Sequence, residues 1–234
     1  MSPASGKNLV FLGATVNNRS GGAAIVGVGF KLHNDRWKAG QWDDSETASY
    51  TDDTTDAQDS GTNDFALFTT TNDDGFVVQS LDKFGIIGID VTTAEVGSPT
   101  YVVEYWNGTA WTDLGTIEEP TDYDIAEHAI VFSPPIDWTA LAAGDTPVDT
   151  DGLTAGYYAI KVDASAAPTT APLAKTLWVA KLYDYKEAVA DNAVLNFNVE
   201  DSIGVALQAG ESIIPYFGTA AATNSFSVRY REIG

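Results

Sequence analysis

The sequence contains no cysteine and only two histidines, and its twelve basic residues face 33 acidic ones. The absence of cysteine excludes disulfides, thiolate catalysis and cysteine-bound zinc. Neither His33 nor His128 has serine or aspartate partners at a spacing typical of a catalytic triad, and no phosphate-binding glycine loop or His-Glu-x-x-His motif occurs. We therefore predict that the chain is not an enzyme and binds no organic cofactor.

The acidic excess is concentrated in the middle of the chain. The formal net charge is −21, and residues 39–160 hold 24 acidic residues but only one basic residue, Lys83. Such a surface repels polyanions, which excludes nucleic acid and anionic membranes as main partners. No run approaches the ~20 apolar residues of a membrane span, and residues 1–22 lack the apolar core of a signal peptide. We expect a soluble protein made in a cytoplasm.

Short runs rich in Val, Ile, Tyr, Phe and Thr recur along the whole chain between turn residues. Helical apolar spacing is absent over any three turns, and a single helical turn at 186–189 is the one candidate. This pattern predicts an all-β protein, an antiparallel β-sandwich resembling a jelly roll. The predicted strands are 8–16, 24–32, 65–70, 75–78, 85–91, 101–105, 110–114, 129–132, 156–163, 176–185, 193–199, 203–207 and 225–231.

Composition divides the chain into three zones. Residues 1–45 are rich in glycine and comparatively basic, which predicts an extended N-terminal arm with the first strands. Residues 46–165 form the acidic β-sandwich. Residues 166–234 hold a linker and a C-terminal β region, which we expect to pair with the N-terminal strands if the middle zone is an insertion. The linker is predicted from the small, proline-bearing stretch ASAAPTTAPLA at 164–174.

Asn107-Gly108, between two apolar runs, predicts a β-hairpin because both turn residues accept positive φ. A two-residue loop places Tyr105 on the core face and both Trp106 and Trp111 on the opposite face. A three-residue loop with a bulge instead moves Trp111 to the core face. Both registers remain open from the sequence.

Trp138 is the second residue predicted to lie in the core. Pro134-Pro135 ends the preceding strand, because proline cannot donate to a β-ladder. The chain then continues with the apolar residues Ile136, Trp138 and Leu141, which we expect to re-enter the core.

The stretch DTPVDTDG offers the best candidate for a metal site. It places Asp145, Asp149 and Asp151 ahead of Gly152, and calcium takes six to eight oxygens that often come from loop aspartates. No glutamate closes an EF-hand loop. The alternative is turn chemistry, in which aspartate side chains bond to nearby backbone amides.

The C-terminal zone holds the stretch predicted to contact other subunits. The segment 218–224 is small and uncharged, and an apolar run precedes it. We expect the hairpin at 211–228, together with the N-terminal arm, to make the main contacts between copies, unless the apolar run is a buried strand. The interface candidates are Ile213, Ile214, Tyr216, Phe217, Ala221 and Ala222.

Long stretches of the sequence resemble the β-sandwich of tailed-phage virion proteins. The order of the Tyr-Trp hairpin, the Pro-Pro-x-x-Trp segment and the Gly-Tyr-Tyr strand carries most of the resemblance. It implies a virion structural protein on a capsid, as a decoration or auxiliary protein, or alternatively a component of the tail or baseplate. The implied partners are the major capsid protein and copies of the chain itself, as a homotrimer or a lattice-bound oligomer. The similar stretches are 50–68, 73–91, 103–114, 132–141, 152–162 and 207–217.

A shorter likeness concerns the same hairpin. Glu104, Tyr105, Gly108 and Trp111 resemble the hairpin of discoidin-like, carbohydrate-binding β-sandwiches. This likeness implies a carbohydrate-binding module or adhesin with a glycan as its ligand. Such a role needs exposed, coplanar aromatic rings, for which the candidates are Trp106, Trp111, Trp138 and Tyr123.

Overall fold

The chain is built almost entirely of antiparallel strands. A computed structural model describes residues 8–17, 24–46, 48–61, 63–115, 122–189, 194–198, 205–207, 212–217 and 225–233. The strands are β1 (Asn8–Asn17), β2 (Ala24–Lys31), β3 (Trp37–Trp42), β4 (Tyr50–Asp52), β5 (Phe65–Ala66), β6 (Gly75–Ser80), β7 (Ile86–Thr93), β8 (Thr100–Trp106), β9 (Trp111–Asp113), β10 (Glu127–Val131), β11 (Tyr158–Ala166), β12 (Leu173–Val189), β13 (Val194–Asn198), β14 (Val205–Leu207), β15 (Ser212–Phe217) and β16 (Ser225–Ile233). The helices in the described residues are a 3-10 turn (Asn34–Arg36), α1 (Thr54–Gln58) and α2 (Thr146–Asp149).

The all-β prediction is confirmed, and every predicted run overlaps a strand. The stretch 186–189, the one candidate for a helical turn, instead continues β12. Strands β3, β4 and β15 were not predicted. The sequence of β3, WKAGQW, contains a lysine, a glycine and a glutamine, so its local β-propensity is weak and pairing with its neighbours decides its conformation.

The strands form two compact units. Unit 1 combines Met1–His33 with Ala180–Gly234, and unit 2 is Asn34–Val179. The middle zone is therefore an insertion, but its boundaries lie at 33 and 179 and not at 45 and 165. The expected linker at 164–174 is not a linker between units, since β11 ends at Ala166 and β12 begins at Leu173 inside unit 2.

Unit 1 joins the two ends of the chain. Strand β1 pairs antiparallel with β13, β14 and β16, and β2 pairs antiparallel with β15 and with the second half of β12. The predicted pairing between N-terminal and C-terminal strands is thus present. The described part of residues 1–45, the expected arm and first strands, comprises β1 and β2 in unit 1 and the 3-10 turn and β3 in unit 2, so most of it is paired strand and not free extended chain. Residues 1–7 and 18–23 of the arm lie outside the described residues.

Unit 2 contains two antiparallel sheets. The larger has six strands in the order β4-β3-β6-β11-β8-β9. The other places β7 between β10 and β12, and β5 pairs with β12 at Leu173 and Ala174. Aromatic contacts link the sheets: the Phe65 ring on β5 lies 6.1 Å from the Phe76 ring on β6, edge to face. This arrangement is the β-sandwich that the sequence predicted.

Both predicted core residues are buried in unit 2. Trp138 packs edge to face on Phe84, with ring centroids 5.1 Å apart, and its indole nitrogen donates to the carbonyl oxygen of Ala159 at 3.2 Å. The hydroxyl of Tyr105 donates to Oδ1 of Asp137 at 2.9 Å. The polar atom of each of these two side chains therefore has a hydrogen-bond partner, as burial in an apolar environment requires.

Across the described part of the chain, no helix has the length and apolar character needed to span a bilayer.

Candidate functional site

The six-stranded sheet of unit 2 has a second aromatic cluster on the face opposite to Phe76. Side chains alternate between the faces of a strand, so the strand register assigns each residue to a face. Val77 is paired with Lys161, Lys161 with Glu104, and Trp106 with Trp111. We call this surface the tryptophan face. Its buried cluster comprises Trp42, Tyr50, Val77, Trp106, Leu141, Leu153 and Ala159, with Trp111 and Val148 packed against it.

Two of these tryptophans lie on the β8–β9 hairpin. Trp106 pairs directly with Trp111, so the loop holds four residues and neither of the predicted lengths is right. Oδ1 of Asn107 accepts from the amides of Thr109 at 2.9 Å and Ala110 at 3.0 Å, and Gly108 adopts φ +98°. Because the register moves by two residues, the faces predicted for a two-residue loop are kept, and the bulged alternative is wrong.

Lys161 occupies the centre of the tryptophan face. Its Nζ lies 2.7 Å from Oε2 of Glu104 and 2.8 Å from Oδ2 of Asp163. The same ammonium lies 5.3 Å from the ring centroid of Trp42 and 5.6 Å from that of Trp111, within the range of cation–π attraction. The lysine side chain is 10% exposed, against 20% for Glu104 and 10% for Asp163. One buried cation thus has two carboxylates and two indole rings around it.

The electrostatics of this cluster keep Lys161 charged. Burial acts to lower the pKa of Lys161, but the hydrogen bonds and charges of Asp163 and Glu104 outweigh burial and raise the pKa above its ordinary value. Burial raises the pKa of Asp163, and the nearby charge of Glu104 adds to the rise while Lys161 opposes it. A lysine held as an ammonium lacks the free amine that nucleophilic or general-base chemistry needs. The geometry suits a structural ion-pair cluster.

A segment between β10 and β11, residues 139–157, covers part of the tryptophan face. We call it the cap. The indole nitrogen of Trp106 donates to Oδ2 of Asp145 at 3.0 Å, and the amide of Thr154 donates to Oε1 of the buried Gln79 at 2.8 Å. The carbonyl of Asp151 accepts from the amide of Tyr50 at 2.9 Å. These partly buried hydrogen bonds, together with the apolar residues of the cap, therefore fix the cap on the sheet.

The three aspartates predicted as calcium ligands belong to this cap. Oδ2 of Asp145 also accepts from the amide of Ala142 at 2.8 Å, and Oδ1 of Asp149 accepts from the amide of Gly144 at 3.2 Å. Oδ1 of Asp151 accepts from the hydroxyl of Thr150 at 2.9 Å. Within the described residues, no group of three or more histidine or acidic side chains is placed to hold a metal ion. Turn chemistry, the alternative interpretation, accounts for these residues.

Most of the aromatic residues considered for a sugar platform are buried in the interior of unit 2. Trp106, Trp138 and Tyr123 are buried, and Trp111 alone of the four is partly exposed. The ring planes of Trp106 and Trp111 meet at 70°, and those of Trp42 and Trp111 at 77°. These rings are not coplanar, so they do not form the flat surface on which a sugar ring stacks.

The predicted interface residues lie in unit 1. Ile213 is buried and pairs with Phe30 of β2, so the alternative interpretation of a buried strand holds for this residue. The backbones of Ile214, Tyr216 and Phe217 continue the same pairing in β15. Their side chains, together with Ala221 and Ala222, lie outside the described residues.

Sequence reasoning missed Lys161 as the centre of a cluster. The available signal was a charged pair two residues apart, Lys161 and Asp163, within the apolar strand YAIKVDASA. Residues at i and i+2 share a face of a strand, so this spacing indicates an ion pair on one side of the sheet. Glu104 and the two rings come from other strands, and no local pattern connects them to Lys161.

Comparison with protein-family models, with curated proteins and with solved structures finds no match to this chain.

Proposed function

We propose that this chain is a non-enzymatic structural protein of a virion, which decorates the outside of a phage capsid. The sequence resemblance to tailed-phage virion proteins suggests the role, and the distribution of charge between the two units supports it. A tail or baseplate position is the alternative location. In either location the partners are other virion subunits, the major capsid protein first, and further copies of the chain.

The observation that carries the proposal is the uneven distribution of net charge between the two units. Unit 2 holds 26 acidic and five basic residues, a net charge of −21, whereas unit 1 holds seven of each and is formally neutral. All of the net charge of the protein therefore resides on the inserted sandwich. Unit 1, which joins both ends of the chain, has no net charge.

This distribution of charge suits a protein that is attached through one unit and keeps the other unit in solvent. A neutral unit approaches a protein shell without long-range repulsion, while a highly acidic unit keeps the coated particles dispersed. The acidic unit also repels its own copies, so contacts between neighbouring molecules are least costly through unit 1. Many weak contacts of this kind act together when one protein is repeated over a lattice.

Groups of the same chain neutralise and partly cover the tryptophan face, which is consistent with a structural role for unit 2. Its lysine is neutralised by carboxylates of the same chain, and the cap covers the apolar residues beside it. The burial of three of the four candidate platform aromatics disfavours the carbohydrate-binding alternative.

The direct test is to locate the chain in assembled particles. Virions purified from cells that produce the chain are examined by quantitative mass spectrometry and cryo-electron microscopy, and purified protein is added back to particles stripped of it. We expect a constant copy number per capsid, with unit 1 against the shell. A signal confined to the tail supports the alternative location. Absence from the particles, or specific binding on a glycan array, overturns the proposal.

A further inference from the structure

We infer that the tryptophan face holds one ordered water molecule beneath the cap, bound between the hydroxyl of Tyr50 and the side-chain amide nitrogen of Gln79. The water is the hydrogen-bond partner that neither of these two groups finds in the described part of the chain. This hydration site belongs to unit 2 alone and does not depend on the decoration role.

Three buried side-chain atoms of the tryptophan face have no hydrogen-bond partner among the described residues. They are Nε1 of Trp42, the hydroxyl oxygen of Tyr50 and Nε2 of Gln79. Gln79 lies on this face because it is two residues from Val77 on β6 and pairs with Ala159, both members of the buried cluster. Gln79 is fully buried, and Tyr50 is 7% exposed. Buried polar atoms in native proteins nearly always pair with protein or with ordered water, because an unpaired one retains the full cost of desolvation.

Two of these three atoms belong to side chains that lie together on the sheet. The ring of Tyr50 lies over Gly40, where an added Cβ would come within 2.6 Å of the ring atom Cε2. Gly40 is paired with Val77, and the next residue on the same face of β6 is Gln79. The ring of Tyr50 therefore reaches across β3 from its place on β4, towards the strand that carries Gln79.

The surroundings of the Tyr50 hydroxyl show a close approach without a direct hydrogen bond. Burial, and then the charge of Asp52, raise the pKa of this hydroxyl. The side-chain donors of Gln79 and Thr54 lie near enough to oppose this rise, yet neither has the distance and angle of a direct hydrogen bond to the hydroxyl. A bridging water joins polar groups that face each other in this way.

The cap closes the site and fixes the orientation of Gln79. The amide of Thr154 donates to Oε1 of Gln79 at 2.8 Å, so Oε1 is engaged and Nε2 is left as a donor. The amide of Tyr50 donates to the carbonyl oxygen of Asp151 at 2.9 Å, and Leu153, between the two cap residues, is buried. An occupant of the site must therefore accept a hydrogen bond from Nε2.

The charges and donors around the site select a small, neutral acceptor. An anion is disfavoured because the charges of Asp52 and Asp53 act on the Tyr50 hydroxyl. A cation is disfavoured because it cannot accept from Nε2 of Gln79. Water accepts from both Nε2 and the Tyr50 hydroxyl and can donate to the hydroxyl oxygen of Thr54, which completes the three or so hydrogen bonds that a buried water makes.

Removal of the Tyr50 hydroxyl in the full-length protein distinguishes a bridged group from an unpaired one by the sign of the effect. If water bridges it, Tyr50→Phe deletes a hydrogen bond and leaves Nε2 of Gln79 less well paired, so the equilibrium constant for urea unfolding should rise about tenfold. An unpaired hydroxyl would give the opposite sign, because its removal takes away a buried polar group that nothing compensates.

Tyr105→Phe is the matched control. Tyr105 is also 7% exposed, and its hydroxyl donates directly to Oδ1 of Asp137 at 2.9 Å, so the same substitution there should also raise the unfolding constant. Circular dichroism checks that each variant is folded. A high-resolution crystal structure of the wild-type protein gives the direct observation: a single oxygen-sized density peak about 2.7–3.2 Å from both Nε2 of Gln79 and the hydroxyl oxygen of Tyr50.

The inference is overturned if Tyr50→Phe leaves the unfolding constant unchanged or lowers it while Tyr105→Phe raises it. It is also overturned if the density shows a direct hydrogen bond between Tyr50 and Gln79 with no water, or a larger molecule between them. These measurements need no capsids, so their outcome is separate from that of the proposed function.

Discussion

Removal of the charge of Lys161 should destabilise unit 2 strongly, because it leaves two carboxylates without their cation. Lys161→Met keeps the length and apolar character of the side chain but removes the ammonium that lies 2.7 Å from Glu104 and 2.8 Å from Asp163. It also removes both cation–π contacts. Breaking a buried ion pair costs about 3–5 kcal/mol, and the partial exposure of Glu104 moves the expected loss to the lower end, about 3 kcal/mol.

The expected pH dependence of this variant has a definite sign. Without the ammonium, burial and the charge of Glu104 raise the folded-state pKa of Asp163 further above its unfolded value, which is near 3.9. The folded variant then binds more protons than the unfolded chain between those two pKa values, so its stability falls as the pH rises through that window. The loss relative to wild type should be smaller at pH 5 than at pH 7.5.

A charge-neutral variant separates the ion pair from the packing. Lys161→Met combined with Glu104→Gln and Asp163→Asn removes all three charges, and we expect it to be at least about 1.5 kcal/mol more stable than the single variant, because no uncompensated charge remains.

Urea unfolding, followed by tryptophan fluorescence, measures all three proteins at both pH values. A loss under about 1 kcal/mol for Lys161→Met, as at an exposed salt bridge, would refute this account of the cluster. So would a triple variant that is no more stable than the single one.

Three further outcomes are expected. Trp138→Ala should cost about 3–5 kcal/mol in urea unfolding because it empties a core position, whereas Ile136→Ala, at a fully exposed residue, should cost under about 0.5 kcal/mol; equal losses would contradict the assignment of the core. Gly88→Ala should lower the free energy of unfolding by about 1–3 kcal/mol, because a Cβ at this position would lie 1.8 Å from the ring of Trp178. The control is Gly61→Ala at an exposed position, which should be nearly neutral because its nearest contact is a flexible side chain. A wild-type melting temperature for Gly88→Ala would disprove the close approach to Trp178. Far-ultraviolet circular dichroism should show a β-type spectrum, and strong helical minima would be incompatible with the fold.

The sequence alone was sufficient for the fold class and for the positions of most strands. Val, Ile, Tyr and Phe at alternating positions between turn residues indicate strands whatever their partners are, because the two-residue period belongs to the extended backbone itself. The same local logic identified Trp138 as a core residue, but it left the register of the hairpin open, and the structure placed Trp106 and Trp111 on one face. The sequence also offered turn chemistry as the alternative to a calcium site, and this alternative explains the hydrogen bonds of Asp145 and its neighbours.

The tertiary structure decided what depends on contacts between distant residues. Strand β3 forms because β4 and β6 pair with it, and the limits of the units follow from the pairing of β1 and β2 with C-terminal strands. Lys161 gains its partners from three other strands, β3, β8 and β9, in addition to its own. Local propensity carries no information about which distant strand becomes a neighbour, since that choice depends on burial and on the charges brought together when the sheet closes.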